Sequence, residues 1–121
     1  MSARAKRSAP RRSPCPVSCA LDLLGDRWTL LIIRDLFAGK ARFRDLIASP
    51  ERIASNILAA RLKRLRLAGI LEARESLERA GSDEYHLTPR GRSLLPVLVA
   101  LRDWGLLSVP GTEARVRVKT R

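Results

Sequence analysis

The sequence predicts a mainly α-helical domain carrying one small β-hairpin, on three observations. Apolar residues recur at helical spacing from residue 16 to 68, interrupted by Gly25, Gly39 and Ser49-Pro50. Two short extended segments, 70–75 and 84–87, flank a turn-like stretch. A Thr88-Pro89 helix start then opens a long leucine-rich segment.

The elements follow in order. Val17, Ala20, Leu21 and Leu24 place a first helix from Pro16 to Leu24, with Gly25 as its stop. Asp26 can cap a second helix through Phe37 that is apolar on most sides and so belongs in the centre of the core. Phe43, Leu46 and Ile47 give a short third helix closed at Ser49-Pro50, with Arg42 and Arg44 expected on its outer side. Leu58, Leu62 and Leu65 form an i, i+4, i+7 stripe, so a fourth helix starts near Ala54 or Ser55 and ends at Ala68-Gly69. At about 100° per residue, its opposite face carries Asn56, Ala60 and Lys63, with Ala59 and Arg64 beside them. The last helix is expected to run on from Thr88-Pro89 past Trp104, with a kink at Pro96. Its apolar residues cover more arc than one core face needs, which points to a second buried surface against a partner.

Three helices, an amphipathic fourth after a tight turn, a hairpin and a terminal helix make the layout of a winged helix-turn-helix. Residues 15–107 form that domain, between a basic arm at 1–14, read as disordered, and a basic, flexible tail at 108–121.

The charge fits an anionic polymer. The 121 residues hold 24 Lys and Arg against 12 Asp and Glu, a formal charge of +12. The stretch from Lys40 to Arg74, which must be folded, has nine basic and three acidic residues. Duplex DNA is the expected partner. Ser55, Asn56, Ala59, Ala60 and Lys63 are small or able to reach base edges, and Arg42, Arg44, Arg61 and Arg64 suit phosphates. Arg27 suits either a phosphate or an ion pair with Asp22 or Asp26, and Arg61 either a phosphate or a core-edge acid.

A basic RNA-binding or ribosome-associated protein is the alternative reading of the composition. Five aromatic residues, most of them in apolar helical patterns, leave few platforms for unstacked bases. No nucleophile–base pair, metal-ligand cluster or phosphate-binding glycine loop supports an enzyme, so no cofactor or metal is expected. His86, the single histidine, has no catalytic companions. No apolar run is long enough to span a bilayer, and the basic N-terminus lacks an apolar signal region, so the expected address is cytoplasmic.

Cys15-Pro16-Val17, Leu21 to Ile32 with Gly25-Asp26-Arg27-Trp28-Thr29-Leu30-Leu31-Ile32, Phe43-Arg44-Asp45-Leu46, Ile53-Ala54-Ser55-Asn56-Ile57-Leu58 and Tyr85-His86-Leu87-Thr88-Pro89-Arg90-Gly91 together resemble the HxlR-type winged helix-turn-helix family. The resemblance covers roughly Cys15 to Gly105. It implies a homodimer paired through N- and C-terminal helices that binds palindromic operators as a repressor or activator, with recognition on the fourth helix and a further contact from the hairpin. There Arg79 is the one expected DNA contact, because Glu75, Glu78, Asp83 and Glu84 surround it. Ala60 stands where a polar or acidic residue is common in the family, a difference that bears on operator sequence.

Cys15 and Cys19 lie one helical turn apart. Two cysteines without a nearby histidine do not make a zinc site, and as residues both fit small apolar positions at a dimer interface. The resemblance implies a second role, a thiol sensor for oxidants or electrophiles at Cys15, acting in some members through an intersubunit disulfide.

Overall fold

The computed structural model describes residues 12–76 and 83–116. Helix α1 spans Pro16–Leu24, α2 Thr29–Phe37, α3 Phe43–Ile47 and α4 Ser55–Leu67. Strands β1, Leu71–Glu75, and β2, Asp83–Leu87, follow, then α5, Pro89–Arg92, and α6, Leu95–Ser108.

The core forms where the apolar stripes of these elements meet. Ile33 on α2 and Leu58 and Leu65 on α4 are 0% exposed, and Leu24, Leu46, Ile53, Ile70 and Leu87 close around them. Burial of such side chains supplies the main driving force for this packing, about 1.5–3 kcal/mol each. Helix α2 begins two residues after the expected start. The Asp26 carboxylate nevertheless takes up the free N–H groups at its entrance, accepting from Trp28 N at 3.0 Å and Thr29 N at 3.1 Å.

Helix α4 ends in a Schellman turn. Gly69 has φ +77°, its N–H donates to Arg66 O, and the Ile70 N–H donates to Leu65 O at 3.0 Å. That turn feeds the chain directly into β1, which pairs antiparallel with β2 in the register Leu71↔Leu87 to Glu75↔Asp83. Leu71 and Leu87 point to the core at 2% and 8% exposure. A bridge between Arg42 and Glu84, with Tyr85 N donating to Ala41 O at 2.7 Å, adds the segment before α3 to the free edge of β2.

The long terminal helix expected from the sequence is two helices. Thr88 caps α5, its hydroxyl accepting from Gly91 N at 3.1 Å. The chain turns at Ser93 and Leu94, and α6 begins with Pro96 in its first turn. The cause is Pro96, which lacks an N–H and whose ring would collide with the carbonyl four residues earlier in a continuous helix. None of the 14 residues of α6 is buried. Leu94, Leu95 and Leu98 lean on the core, while Leu101, Trp104 and Leu107 stand in solvent. No helix of the described residues is long and apolar enough to cross a membrane.

Candidate nucleic-acid interface

Helix α4 presents two faces. Leu58, Leu62 and Leu65 are 0%, 3% and 0% exposed against the core, whereas Ser55, Asn56, Ala59, Ala60 and Lys63 are all exposed. The expected outward set is therefore on one open side of one helix. A B-DNA major groove, about 12 Å wide, admits such a helix when its outer side chains are short. Arg44 on α3 and Arg66 near the end of α4 are exposed too, and make no ion pair among the described residues.

The other expected cations are engaged. Arg42 differs from the expectation of an outward, phosphate-facing side chain: it is 14% exposed, and its Nη2 donates to Ser76 Oγ at 3.0 Å and lies 3.4 Å from Glu84 Oε2. The reason is the edge bridge to β2, which turns Arg42 along the hairpin and makes it a brace between α3 and the strands. Arg64 is partly exposed; it donates to the Asp22 carbonyl and lies 3.8 Å from Asp26. Arg61 Nε donates to Asp26 Oδ2 at 2.9 Å, which decides between its two readings in favour of the core-edge acid. Arg27 lies over the Trp28 ring, 5.6 Å from its centroid. Arg79 lies outside the described residues.

One polar cluster ties α4 to the corner between α1 and α2, a second ties α2 to the turn between α3 and α4, and only part of one was legible in the sequence. Around Asp26, burial alone would raise the carboxyl pKa. Hydrogen bonds from the Thr29 hydroxyl, the Arg61 guanidinium and the Trp28 and Thr29 N–H groups outweigh it and hold the group well below the usual carboxylate range. The second cluster lies under the turn between α3 and α4. The Ser49 hydroxyl donates to buried Asp35, Lys40 Nζ is 3.9 Å from the same carboxylate, and Arg34 joins Asp35 at 2.9 Å to Glu51 at 2.8 Å. The Arg34 guanidinium holds Glu51 below its ordinary range. The adjacent Arg34-Asp35 charges inside an otherwise apolar helix were the one available signal for this network, since an unpaired charge there would be costly.

At the other end of the molecule, Cys15 is exposed at the N-cap of α1, its N–H donating to Ser13 Oγ at 3.0 Å. Cys19 is half-buried, and its thiol donates to Ser13 O at 3.3 Å. Arg12 pairs with Asp22 at 3.1 Å. Trp28 packs on the core, while Trp104 is 63% exposed.

With this geometry in view, the likeness to known proteins is specific. The profile of the HxlR-like helix-turn-helix family matches residues 23–112. An uncharacterized HTH-type transcriptional regulator of Synechocystis sp. is 35% identical over 91 residues, spanning 75% of this chain and 67% of the relative. The HTH-type regulator YdeP of Bacillus subtilis, also uncharacterized, is 32% identical over 91 residues, spanning 75% and 71%. Among solved structures, PA1607, described as a candidate transcription factor, superposes with a TM-score of 0.78 at 42% identity, covering 89% of this chain and 75% of that one. The redox regulator HypR in its reduced form gives 0.72 at 27% identity, covering 79% and 95%. Reduced YodB from B. subtilis, a transcriptional regulator, gives 0.67 at 31% identity, covering 84% and 100%. The chain thus belongs to the HxlR-like helix-turn-helix family: it is a transcriptional regulator with a winged helix-turn-helix DNA-binding fold, and not an enzyme.

Proposed function

We propose that the protein represses transcription as a homodimer, seating α4 of each protomer in successive major grooves of a palindromic operator. The open outer face of α4 carries this reading: Asn56, Ala59, Ala60 and Lys63 are all exposed on a helix whose opposite side is sealed in the core. Asn56 is suited to adenine and Lys63 to guanine acceptors, while Arg44 and Arg64 suit flanking phosphates, and Arg79 a backbone contact from the hairpin. Ser55, at the first turn of α4, suits a phosphate oxygen. In a symmetric dimer the two copies of α4 would lie about 34 Å apart, matching half-sites one helical turn apart.

Support for the dimer comes from apolar surface. Val17 and Leu21 on α1 are 66% and 53% exposed, and Leu101, Trp104 and Leu107 on α6 are 50%, 63% and 87% exposed. A monomer that left these side chains wet would forgo a large part of their burial energy.

The same reading gives Cys15 a sensing role. YodB has been crystallised quinone-bound and diamide-treated, and HypR in an oxidised form. Cys15 is exposed at the N-cap of α1, next to the proposed dimer face, whereas Cys19 is half-buried and hydrogen-bonded to Ser13. Attack by an exposed thiolate is the access-controlled step in such chemistry.

Footprinting on genomic DNA, followed by mobility shifts on the protected sequence, tests the proposal. A two-fold symmetric footprint with affinity falling steeply with salt is expected. Equal affinity for the protected site and random duplex would defeat it. A non-reducing gel after diamide should show a dimer-sized band that Cys15→Ser removes.

A further inference from the structure

Between the end of α2, strand β2 and α5 lies an open cavity of about 440 Å3, with none of its lining residues on α4. We propose that this cavity binds a small carboxylate with an apolar body, of the size of an arylalkanoic acid.

Its wall is of two kinds. Phe37, Tyr85 and Leu95 supply apolar and aromatic surface, and Lys40, Arg74, His86 and Arg92 supply positive charge or N–H donors. No carboxylate lines it among the described residues. The volume falls within the range of ordinary small-molecule sites, about 300–1,000 Å3, and the mix of apolar wall and few convergent polar groups is the usual one.

The charges around the rim are not all compensated. Arg74 is bound to Glu72 at 2.9 Å, and His86 lies 3.1 Å from Glu84, which Arg42 also approaches. Lys40 Nζ donates to Ser49 Oγ at 3.5 Å and lies 3.9 Å from Asp35, both long contacts, and Asp35 already has Arg34 at 2.9 Å. Arg92 donates Nη1 to the Leu87 carbonyl at 2.8 Å and has no acid among the described residues. An entering carboxylate would therefore find Arg92 with a free edge of its guanidinium fork and Lys40 with a weakly held ammonium, without displacing a strong pair. The apolar wall favours a ligand with a hydrocarbon body over a bare phosphate.

A second cavity, about 500 Å3, lies between α2, α6 and residues 113–116, and it does not share this selectivity. Its cations Arg34, Arg102 and Arg115 are each paired with an acid at 2.8–3.1 Å. It also runs into Leu101, part of the apolar face assigned above to the dimer.

A ligand in the first cavity would touch the α2–α3 loop through Lys40, the hairpin through Arg74 and α5 through Arg92. It would thus tie the wing to the helical body, a place from which an effector could bias the pose of the hairpin on DNA.

Titration calorimetry on the full chain tests the site with 3-phenylpropionate against its neutral isostere 3-phenylpropionamide. The acid is expected to bind about tenfold or more tightly than the amide, the effect of one charge-assisted hydrogen bond. Arg92→Gln and Lys40→Gln should each lose about that factor, while Arg102→Gln, in the second cavity, should bind as the native chain does. Thermal unfolding checks each variant; if Arg92→Gln does not fold, Lys40→Gln and the exposed Arg74→Gln carry the test. Equal affinity for acid and amide, no binding up to millimolar acid, or loss in Arg102→Gln would overturn the proposal. So would variants that weaken duplex DNA binding alone, because the cluster would then be a phosphate-contacting surface.

Discussion

Arg61 on α4 donates Nε to Asp26 at 2.9 Å, and this bond joins α4 to the corner between α1 and α2. The same carboxylate accepts the Trp28 and Thr29 N–H groups and the Thr29 hydroxyl, so one side chain both opens α2 and orients α4. In the proposed complex α4 must be held within fractions of an ångström of its docking pose, and Asp26 braces it from the core side.

Asp26→Asn should therefore lower stability at neutral pH by about 2 kcal/mol, the order expected when a charged hydrogen-bond acceptor is removed from Arg61. Its pH dependence has a definite sign. The folded-state pKa lies below the ordinary value of 3.8, so the contribution is present above that value and is lost as pH falls through it toward the folded pKa. Urea unfolding of the native and Asn forms should differ at pH 7, and the gap should narrow progressively as pH falls from about 4 toward about 2. A gap that stays constant across that interval would show that Asp26 acts only as a neutral acceptor.

Lys63, Arg44 and Arg42 should separate three kinds of effect. Lys63→Ala is expected to weaken operator binding by about 1–3 kcal/mol and to relax preference at one base pair. Arg44→Ala should weaken specific and random duplex alike and reduce the salt slope by about 1. Arg42→Ala should leave DNA affinity nearly unchanged and lower the unfolding temperature, because its partners are Ser76 and Glu84 rather than solvent. Competition mobility shifts at two salt concentrations, with a melting curve for each variant, give the three signatures.

The contrast between Arg42 and Lys63 shows what the sequence could carry. Lys63 was placed by helical periodicity alone: with Leu58, Leu62 and Leu65 inward, its direction follows from about 100° per residue. The same periodicity fixed the bounds of α1, α3 and α4 to within a residue or so. Arg42 precedes α3 in an extended conformation, where direction depends on a strand 42 residues away, and no local pattern encodes that pairing. The Asp35–Ser49 bond under the α3–α4 turn is non-local in the same way. The split of the terminal helix was foreshadowed by Pro96, but whether a proline kinks a helix or starts a new one depends on what precedes it, here the Thr88 cap and the tight seating of Gly91.

Leu101 and Trp104 should control assembly. A Trp104→Glu variant, alone or with Leu101→Glu, is expected to sediment as a monomer while keeping its helical content, since neither side chain belongs to the buried core. Its operator affinity should fall by more than tenfold, about 1.4 kcal/mol or more, as the two half-sites lose their linkage. A variant that remains dimeric would move the interface elsewhere on the surface. A native chain that is monomeric at micromolar concentration would remove the dimer altogether.

Gly91 is the position at which a single methyl group should do most damage. A Cβ there would overlap the Ile70 carbonyl oxygen and lie 2.9 Å from Leu87 Cδ2, closer than van der Waals contact allows in both cases. Ile70 cannot retreat easily: its carbonyl also accepts the Thr88 N–H at 3.0 Å, and its N–H closes the α4 terminus on Leu65. Gly91→Ala must therefore push α5 away from the start of β1, at a cost on the upper side of the usual overpacking range, about 3 kcal/mol. Gly105 on α6 provides the control, because nothing lies within 4 Å of the Cβ it would gain. Within one protomer, Gly105→Ala should be neutral or stabilising by up to about 1 kcal/mol through helix propensity. Thermal unfolding of the two variants at matched protein concentration should thus shift in opposite directions or leave Gly105→Ala unmoved. If Gly91→Ala melts with the native protein, the packing of α5 against the strand is looser than these distances require. If Gly105→Ala instead destabilises the protein in a concentration-dependent manner, the glycine faces the second protomer, and α6 is the helix through which the copies meet.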